Sequence, residues 1–289
     1  MQKTQIKSQG MMPWILAARP KTLSASLAPV AVGTALAETI DWLICLSVLF
    51  SAVMIQIGTN LINDALDFKK GSDTKARLGP TRVTSSGLLS ADQVMLGGFL
   101  AFGLALLIGT PLIIKGGLPI LLLLIGCCCL GYLYTGGPLP MAYCGLGDVF
   151  SFTFFGVVLT GVSYYLQKGE LSTQVLLAGI QMGFFSTVML GINNLRDITE
   201  DTKTKKLTLA VRFGKTFART EITCLALGPF ILNIFFDVPW LTWLAFPLAL
   251  VLVGKVWKEE PGPAYNKYLA LGGLLQMAFG LLYVLGVVI

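Results

Sequence analysis

Nine apolar segments, at about 22–37, 42–64, 92–114, 117–135, 145–166, 172–195, 218–236, 240–257 and 266–288, leave this chain few folds to adopt. Most approach the ~20 residues that an α-helix needs to cross the hydrocarbon layer of a bilayer. No water reaches that layer to satisfy backbone N–H and C=O groups, so an apolar run there must be helical. The scarcity of charge agrees: 12% of the 289 residues are charged, against about 25% in a soluble domain. The expected fold class is therefore all-α, a polytopic membrane protein with nine transmembrane helices.

Ahead of the first segment, residues 1–12 form a polar tail, and residues 13–289 are read as one integral-membrane domain. Residues 14–19 form a short interfacial piece, with Trp14 at headgroup level and Arg19 and Lys21 facing phosphates. Lys3 and Lys7 before an apolar run invite comparison with a secretory leader. Arg19, Pro20 and Lys21 interrupt that run, and the segment is expected to be retained.

Nine spans give the loops a side. All 21 basic residues except Lys115 and Lys168 then fall on the face that holds the N-terminus. A wrong span count would scramble this division. By the positive-inside rule that face is cytoplasmic, with the C-terminus opposite. The net charge of +6 belongs to this asymmetry. Basic and aromatic residues do not interleave in any surface that would take nucleic acid.

Two acidic stretches break the apolar pattern: NLINDALDFKKGSD at 60–73 and NNLRDITED at 193–201. Each closes an apolar segment, the second and the sixth, on the cytoplasmic side, and each leads into a basic loop. Carboxylates at such positions are costly and tend to serve function. Asn60, Asp64 and Asp67 are spaced i, i+4, i+7, and Asn193, Asp197 and Asp201 are spaced i, i+4, i+8, so each trio shares a helical face. Facing one another, the two trios would gather four carboxylates and two amides, a charge that divalent metal would relieve. There is no histidine, so metal must be held by oxygen, which suits Mg²⁺, Mn²⁺ or Ca²⁺. Mg²⁺ held this way usually shares substrate phosphates. The basic residues after each stretch, among them Lys75, Arg77, Arg82 and Lys205, fit a diphosphate. The alternative for the acids is a set of solvated helix ends balanced by neighbouring lysines.

A third stretch, YTGGPLPMAYCGLGD at 134–148, forms a rigid loop between the fourth and fifth segments. Tyr134 could face the cavity and hold a carbocation over its ring; Tyr143 suits an interfacial place equally well. Asp148, just inside the fifth segment, reads as a structural or site-lining acid rather than a base. The six cysteines lie mostly in apolar runs without a CxxC pair and read as small buried hydrophobes.

These stretches, with ARPKTL at 18–23, GSDTKARLGPTR at 71–82 and the run on from NNLRDITED to LAVRFG, resemble the UbiA superfamily of intramembrane prenyltransferases. Within it they are most similar to the naphthoate-using, MenA-type branch. That branch shares the long spacing from Asp67 to Asp73, and a Gly-Gly-Pro loop follows Tyr134 where benzoate-using relatives carry Lys-Arg. The resemblance covers the chain from about residue 14 to 266. It implies a nine-helix bundle around a central cavity open laterally to lipid. It also implies Mg²⁺-dependent transfer of a polyprenyl group from polyprenyl diphosphate to 1,4-dihydroxy-2-naphthoate, with loss of CO₂, in the bacterial cytoplasmic membrane. Asn60, Asp64, Asp67, Asn193, Asp197 and Asp201 would hold metal. Asn63, Arg19, Lys21, Lys75, Arg77, Arg82 and Lys205 would join Asn60 and Asn193 on the diphosphate. Tyr134 would stand by the allylic cation. Another aromatic acceptor (1,4-dihydroxy-6-naphthoate or 4-hydroxybenzoate) is the first alternative, and a cation-coupled transporter the second.

Overall fold

The computed structural model describes residues 10–73 and 78–289, with the side chain of Lys21 left out. Every regular element among them is helical. A short helix α1 (Met12–Ala18) and a 3₁₀ turn (Pro20–Thr22) lead into α2 (Ser24–Ala35) and α3 (Trp42–Lys69). Next come α4 (Ala91–Ile108) and α5 (Thr110–Leu133). A single span then combines α6 (Gly147–Phe152), a π-helical segment (Thr153–Val158) and α7 (Leu159–Lys168). The chain continues through α8 (Thr173–Arg196), α9 (Ile198–Lys203) and α10 (Leu209–Phe235). A 3₁₀ stretch (Trp240–Ala245) enters α11 (Phe246–Lys258), and α12 (Tyr265–Val288) closes the bundle.

All nine apolar segments are helical, but only eight helices among the described residues are long and apolar enough to cross a membrane. The exception is α2, whose 12 residues span only ~18 Å. It can be short because α3, α7, α8 and α12 pack around it. Large apolar side chains such as Leu100, Leu107, Ile114 and Trp240 stand exposed on the outer faces, where lipid rather than water suits them. The break between the third and fourth segments comes at Gly117, whose left-handed backbone (φ 67°) kinks α5 ahead of Pro119.

Small residues let the spans approach closely, as helix packing in lipid requires. At Gly156 a Cβ would stand 2.3 Å from the Gly183 Cα and 2.6 Å from the Gly179 carbonyl oxygen. The Gly179/Gly183 pair is thus the seat of the π-helical segment on α8. A Cβ at Gly58 would strike Phe102 at 2.5 Å, which lets α3 lie against α4. On the far side α8, α10, α11 and α12 close over Phe185, Phe230 and Phe279, with Phe185 and Phe279 centroids 4.9 Å apart. α2 packs on both α3 and α8, and between those two helices the bundle holds a cavity.

Candidate active site

The cavity measures about 320 Å³ and changes character along its length. At the end where α3 and α8 finish, it is lined by Arg19, Asn60, Asn63, Arg82, Asn193, Asn194, Asp197 and Lys206. Deeper, Ile55, Val48, Leu112, Leu124, Phe154 and Val162 line it. The α3 residues on its wall run from Val48 to Asn63, ~22 Å of helix. A charged head at one end and a long hydrocarbon at the other would match these surroundings.

The mouth is held by bonds from both acidic stretches. Asn60 donates its side-chain N–H to the Ala18 carbonyl at 3.1 Å, closing the open end of α1 and leaving its amide oxygen for a ligand. One turn below, Gln56 donates to the Thr22 carbonyl at 2.8 Å and accepts from Ser26 at 2.6 Å. These bonds fix Arg19, which breaks the chain between α1 and α2 with φ 55° and ψ 65°. A left-handed arginine is uncommon, and such strain gathers at sites.

Asp64 and Asp67 lie one turn beyond Asn60 and Asn63, under the following loop. The Asp64 carboxylate accepts from the backbone N–H groups of Val83 (3.2 Å) and Thr84 (3.3 Å) and from the Thr84 hydroxyl. Asp67 takes Arg82 Nη2 at 3.2 Å, and Arg82 Nε stands 3.3 Å from Asp73. Residues 82–84 are thus folded back onto the acids before them.

Tyr143, outside the cavity lining, joins this cluster. Its hydroxyl lies 2.8 Å from Asp67 Oδ1 and 2.6 Å from Ser72 Oγ. A carboxylate only accepts, so Tyr143 gives Asp67 its proton. Burial first, then the Asp67 charge, hold that phenol well above its ordinary pKa, so it remains a donor. The Lys70 ammonium sits 4.5 Å from the Tyr143 ring centroid and donates to the Thr135 carbonyl. Burial lowers its pKa, with Asp67 opposing. The Tyr143 carbonyl accepts from Leu207 N at 3.1 Å, tying the 134–146 loop to the second basic loop.

The second acidic stretch is organised by Arg196, only 1% exposed. Its Nε and Nη2 grip the two oxygens of Asp197 at 2.8 and 2.6 Å. Nη2 also meets Asn193 Oδ1 at 2.6 Å, and Nη1 meets Asn266 Oδ1 at 2.8 Å. Asn266 in turn donates to the Leu78 carbonyl at 2.9 Å, so α12 links the two halves of the mouth.

Of the residues expected from sequence, Asn60, Asn63, Asn193, Asp197, Arg19, Arg82 and Tyr134 line the cavity. Asp64, Asp67 and Asp201 are buried beside it rather than on its surface. The expected face through Asn193, Asp197 and Asp201 is interrupted: α8 ends at Arg196, Asp197 caps it, and Asp201 belongs to α9. Nor do the four carboxylates gather, for no group of three or more acidic, cysteine or histidine side chains among the described residues is placed to hold a metal. Arginines and backbone N–H groups engage three of the acids instead. Lys205, at φ 57°, is exposed, and its neighbour Lys206 takes the place on the wall. Lys75 and Arg77 lie outside the described residues, as does the side chain of Lys21. Sequence reading missed Arg196 and Asn194 as parts of the mouth, and held Lys206 only as one of the basic residues that follow the second stretch. Gln56, four residues before Asn60, was within reach of the same periodicity.

Tyr134 stands at the turn from polar to apolar wall, its hydroxyl 3.1 Å from where a Gly147 Cβ would be. Burial chiefly, with the Asp148 and Asp67 carboxylates, raises its pKa. It offers a neutral ring to whatever occupies that level.

Fold and site together define an intramembrane enzyme for an amphiphile, with a polar mouth at one end of a helical bundle and an apolar tunnel beneath it. The chain belongs to the UbiA prenyltransferase family, whose model matches residues 26–286. It is 30% identical over the full length of both chains to 1,4-dihydroxy-2-naphthoate octaprenyltransferase of Haemophilus influenzae. It is 34% identical to the Escherichia coli protein of that name, covering 95% of this chain and 94% of that one. Among solved structures, a UbiA homolog from Archaeoglobus fulgidus superposes with a TM-score of 0.66 at 16% identity, covering 96% of this chain and 100% of that one. The same homolog has been solved bound to DMAPP and Mg²⁺, with a TM-score of 0.61 at 14% identity over 96% of this chain and 99% of that one.

Proposed function

We propose that this protein transfers a polyprenyl group from an allylic polyprenyl diphosphate to 1,4-dihydroxy-2-naphthoate, with loss of CO₂ and release of diphosphate, to give demethylmenaquinol. The observation that carries the acceptor is the end-to-end similarity to relatives of that name. The cavity fits the donor. The diphosphate lies at the mouth against Arg19, Arg82, Lys206, Asn60 and Asn193, and the prenyl tail runs along the apolar wall. The site opens to the cytoplasm, on the side the positive-inside rule assigns to the basic loops, in the bacterial cytoplasmic membrane.

The donor groups at the mouth are carboxylate and amide oxygens, the chemistry Mg²⁺ favours. Asn60, Asn193 and Asp197 would hold it from the cavity wall, with Asp64, Asp67 and Asp201 behind them, and Mn²⁺ would suit the same donors. Bound there, the metal supplies Lewis-acid charge to the leaving diphosphate.

The protein's own groups perform the rest. Arg19, Arg82 and Lys206 neutralise negative charge as the allylic C–O bond breaks. Tyr134 presents its ring to the allylic cation. The apolar wall keeps water from capturing that cation. The electron-rich naphthalene ring attacks, and loss of CO₂ restores its aromaticity, so no strong base is needed and the absence of histidine is no obstacle. An assay of purified protein with donors of several lengths, both dihydroxynaphthoates and 4-hydroxybenzoate tests this assignment. Transfer to the 2-naphthoate alone supports it, and preference for another acceptor overturns it.

A further inference from the structure

Every acidic side chain so far placed around the mouth has a partner: Asp64 the loop backbone, Asp67 and Asp73 Arg82, Asp197 Arg196, and Asp201 Lys206 at 3.9 Å. Asp148 differs. It lines the cavity and is 6% exposed. Its Oδ1 is buried with no hydrogen-bond partner, and it has no ion pair among the described residues. A buried carboxylate oxygen without a donor is costly, so one that persists in a cavity wall points to a donor that arrives with a ligand.

Its level in the cavity identifies that ligand. Asp148 accepts from the Thr187 hydroxyl only through its backbone oxygen, at 3.5 Å, and a Cβ on the preceding Gly147 would stand 3.4 Å from Leu190. Leu190 and Thr187 lie three and six residues before Asn193 on α8, ~5 and ~9 Å further in. Beyond Asp148 the wall is aromatic, with Phe150 and Phe154 stacked at 5.5 Å and 6°, and then aliphatic. Asp148 therefore sits where a diphosphate head would end and a prenyl tail begin, beside Tyr134. The reacting carbon and the acceptor ring must meet at that depth.

We propose that Asp148 is a catalytic residue on the acceptor side: its carboxylate accepts the hydrogen bond of a ring hydroxyl on the dihydroxynaphthoate and so fixes the ring against the allylic carbon. The proposal rests on the acceptor assigned above. The ring attacks through the carbon that loses CO₂. As that C–C bond forms, the allylic C–O bond breaks and diphosphate leaves with its electron pair. Positive charge then moves onto the hydroxyl oxygen conjugated with the attacked carbon, and its proton shifts toward Asp148. When CO₂ departs, the electron pair of the breaking C–C bond returns to the ring and the proton returns to the oxygen. No proton is gained or lost overall.

The test is steady-state kinetics of purified Asp148→Asn and Asp148→Leu, with 1,4-dihydroxy-2-naphthoate as acceptor and a 2-naphthoate lacking the hydroxyl next to the carboxylate as inhibitor. Losing a charged hydrogen bond should lower kcat/KM for the dihydroxy acceptor about 10- to 100-fold. The KM for polyprenyl diphosphate and the Mg²⁺ dependence should stay within about twofold of wild type. The deoxy compound lacks the oxygen that takes up the charge, so it serves as a competitive inhibitor: it should bind wild type about tenfold or more weakly than the dihydroxy acceptor, whereas both variants should bind the two about equally. Unchanged acceptor kinetics in Asp148→Asn, or a loss that appears in the donor KM instead, overturns the proposal. Thermal unfolding checks that the variants fold. If neither folds, equal binding of the two compounds to wild type overturns it and weaker binding of the deoxy compound upholds it. Wild-type protein inactive on dihydroxynaphthoate defeats the acceptor assignment itself; active wild type with an unaffected Asp148→Asn defeats only the role of Asp148.

Discussion

Replacing Arg196 with methionine should separate what holds the second acidic stretch from what it does. The guanidinium makes four bonds of 2.6–2.8 Å: two to Asp197, one to Asn193 and one to Asn266. Both members of the ion pair are buried, Arg196 at 1% and Asp197 at 7% exposure. Removing one partner of a buried pair costs about 3–5 kcal/mol, because the other charge is left without compensation. The Asn193 and Asn266 oxygens add about 1 kcal/mol each. Arg196→Met should therefore melt well below the parent protein in detergent. The double variant Arg196→Met/Asp197→Leu removes the stranded charge and should recover about 2–4 kcal/mol of that loss. Both should be inactive in prenyl transfer, since Asp197 belongs to the mouth. Arg196→Lys keeps the charge but not the fork, and should fall between the parent and the methionine variant. Thermal unfolding of these proteins and of Asp197→Leu, with transfer assayed alongside, completes the cycle. An unchanged midpoint for Arg196→Met, or a double variant less stable than the single one, would show that the guanidinium does not hold this stretch together.

Three further outcomes follow from the geometry. Gly156→Val places carbon where the Gly183 Cα and Gly179 oxygen already stand; overpacking of ~1–3 kcal/mol or more should appear as a lower melting temperature, whereas Gly126→Ala, with nothing within 4 Å, should melt like the parent. Tyr143→Phe removes the hydroxyl held by Asp67 and Ser72; the protein should fold, transfer should fall about tenfold, and more Mg²⁺ should be needed for half-maximal rate in a metal titration. Asp64→Ala frees the backbone N–H groups of Val83 and Thr84, and should abolish transfer while circular dichroism shows the helices retained.

Much of this was legible in the chain. Bilayer physics turns an apolar run into a helix almost regardless of neighbours, so all nine segments could be placed from composition alone. The two acidic stretches could be found for the same reason: charge is rare enough in this chain that its exceptions stand out. What failed to show was how far each helix runs past the cavity. Asn60 and Asn63 line the wall, while Asp64 and Asp67, one turn later, lie under a loop whose residues 82–84 are distant in sequence. Arg196 reads as one more cytoplasmic cation until α12 brings Asn266 against it. The choice between Lys205 and Lys206 depends on one left-handed residue, which helical periodicity cannot foresee. Asp148 looked structural because its meaning lies in the partner it lacks, and only a packed wall reveals that.

In the proposed reaction the mouth formed by α3 and α8 activates a polyprenyl diphosphate for decarboxylative attack by dihydroxynaphthoate. It is tested most directly by following radiolabelled CO₂ from carboxyl-labelled 1,4-dihydroxy-2-naphthoate with purified protein, polyprenyl diphosphate and Mg²⁺. One CO₂ should appear for each prenylated naphthalenediol, with both products lost on chelation and in folded Asp197→Ala. Prenyl transfer without CO₂ release, or transfer undiminished by either change, would contradict it.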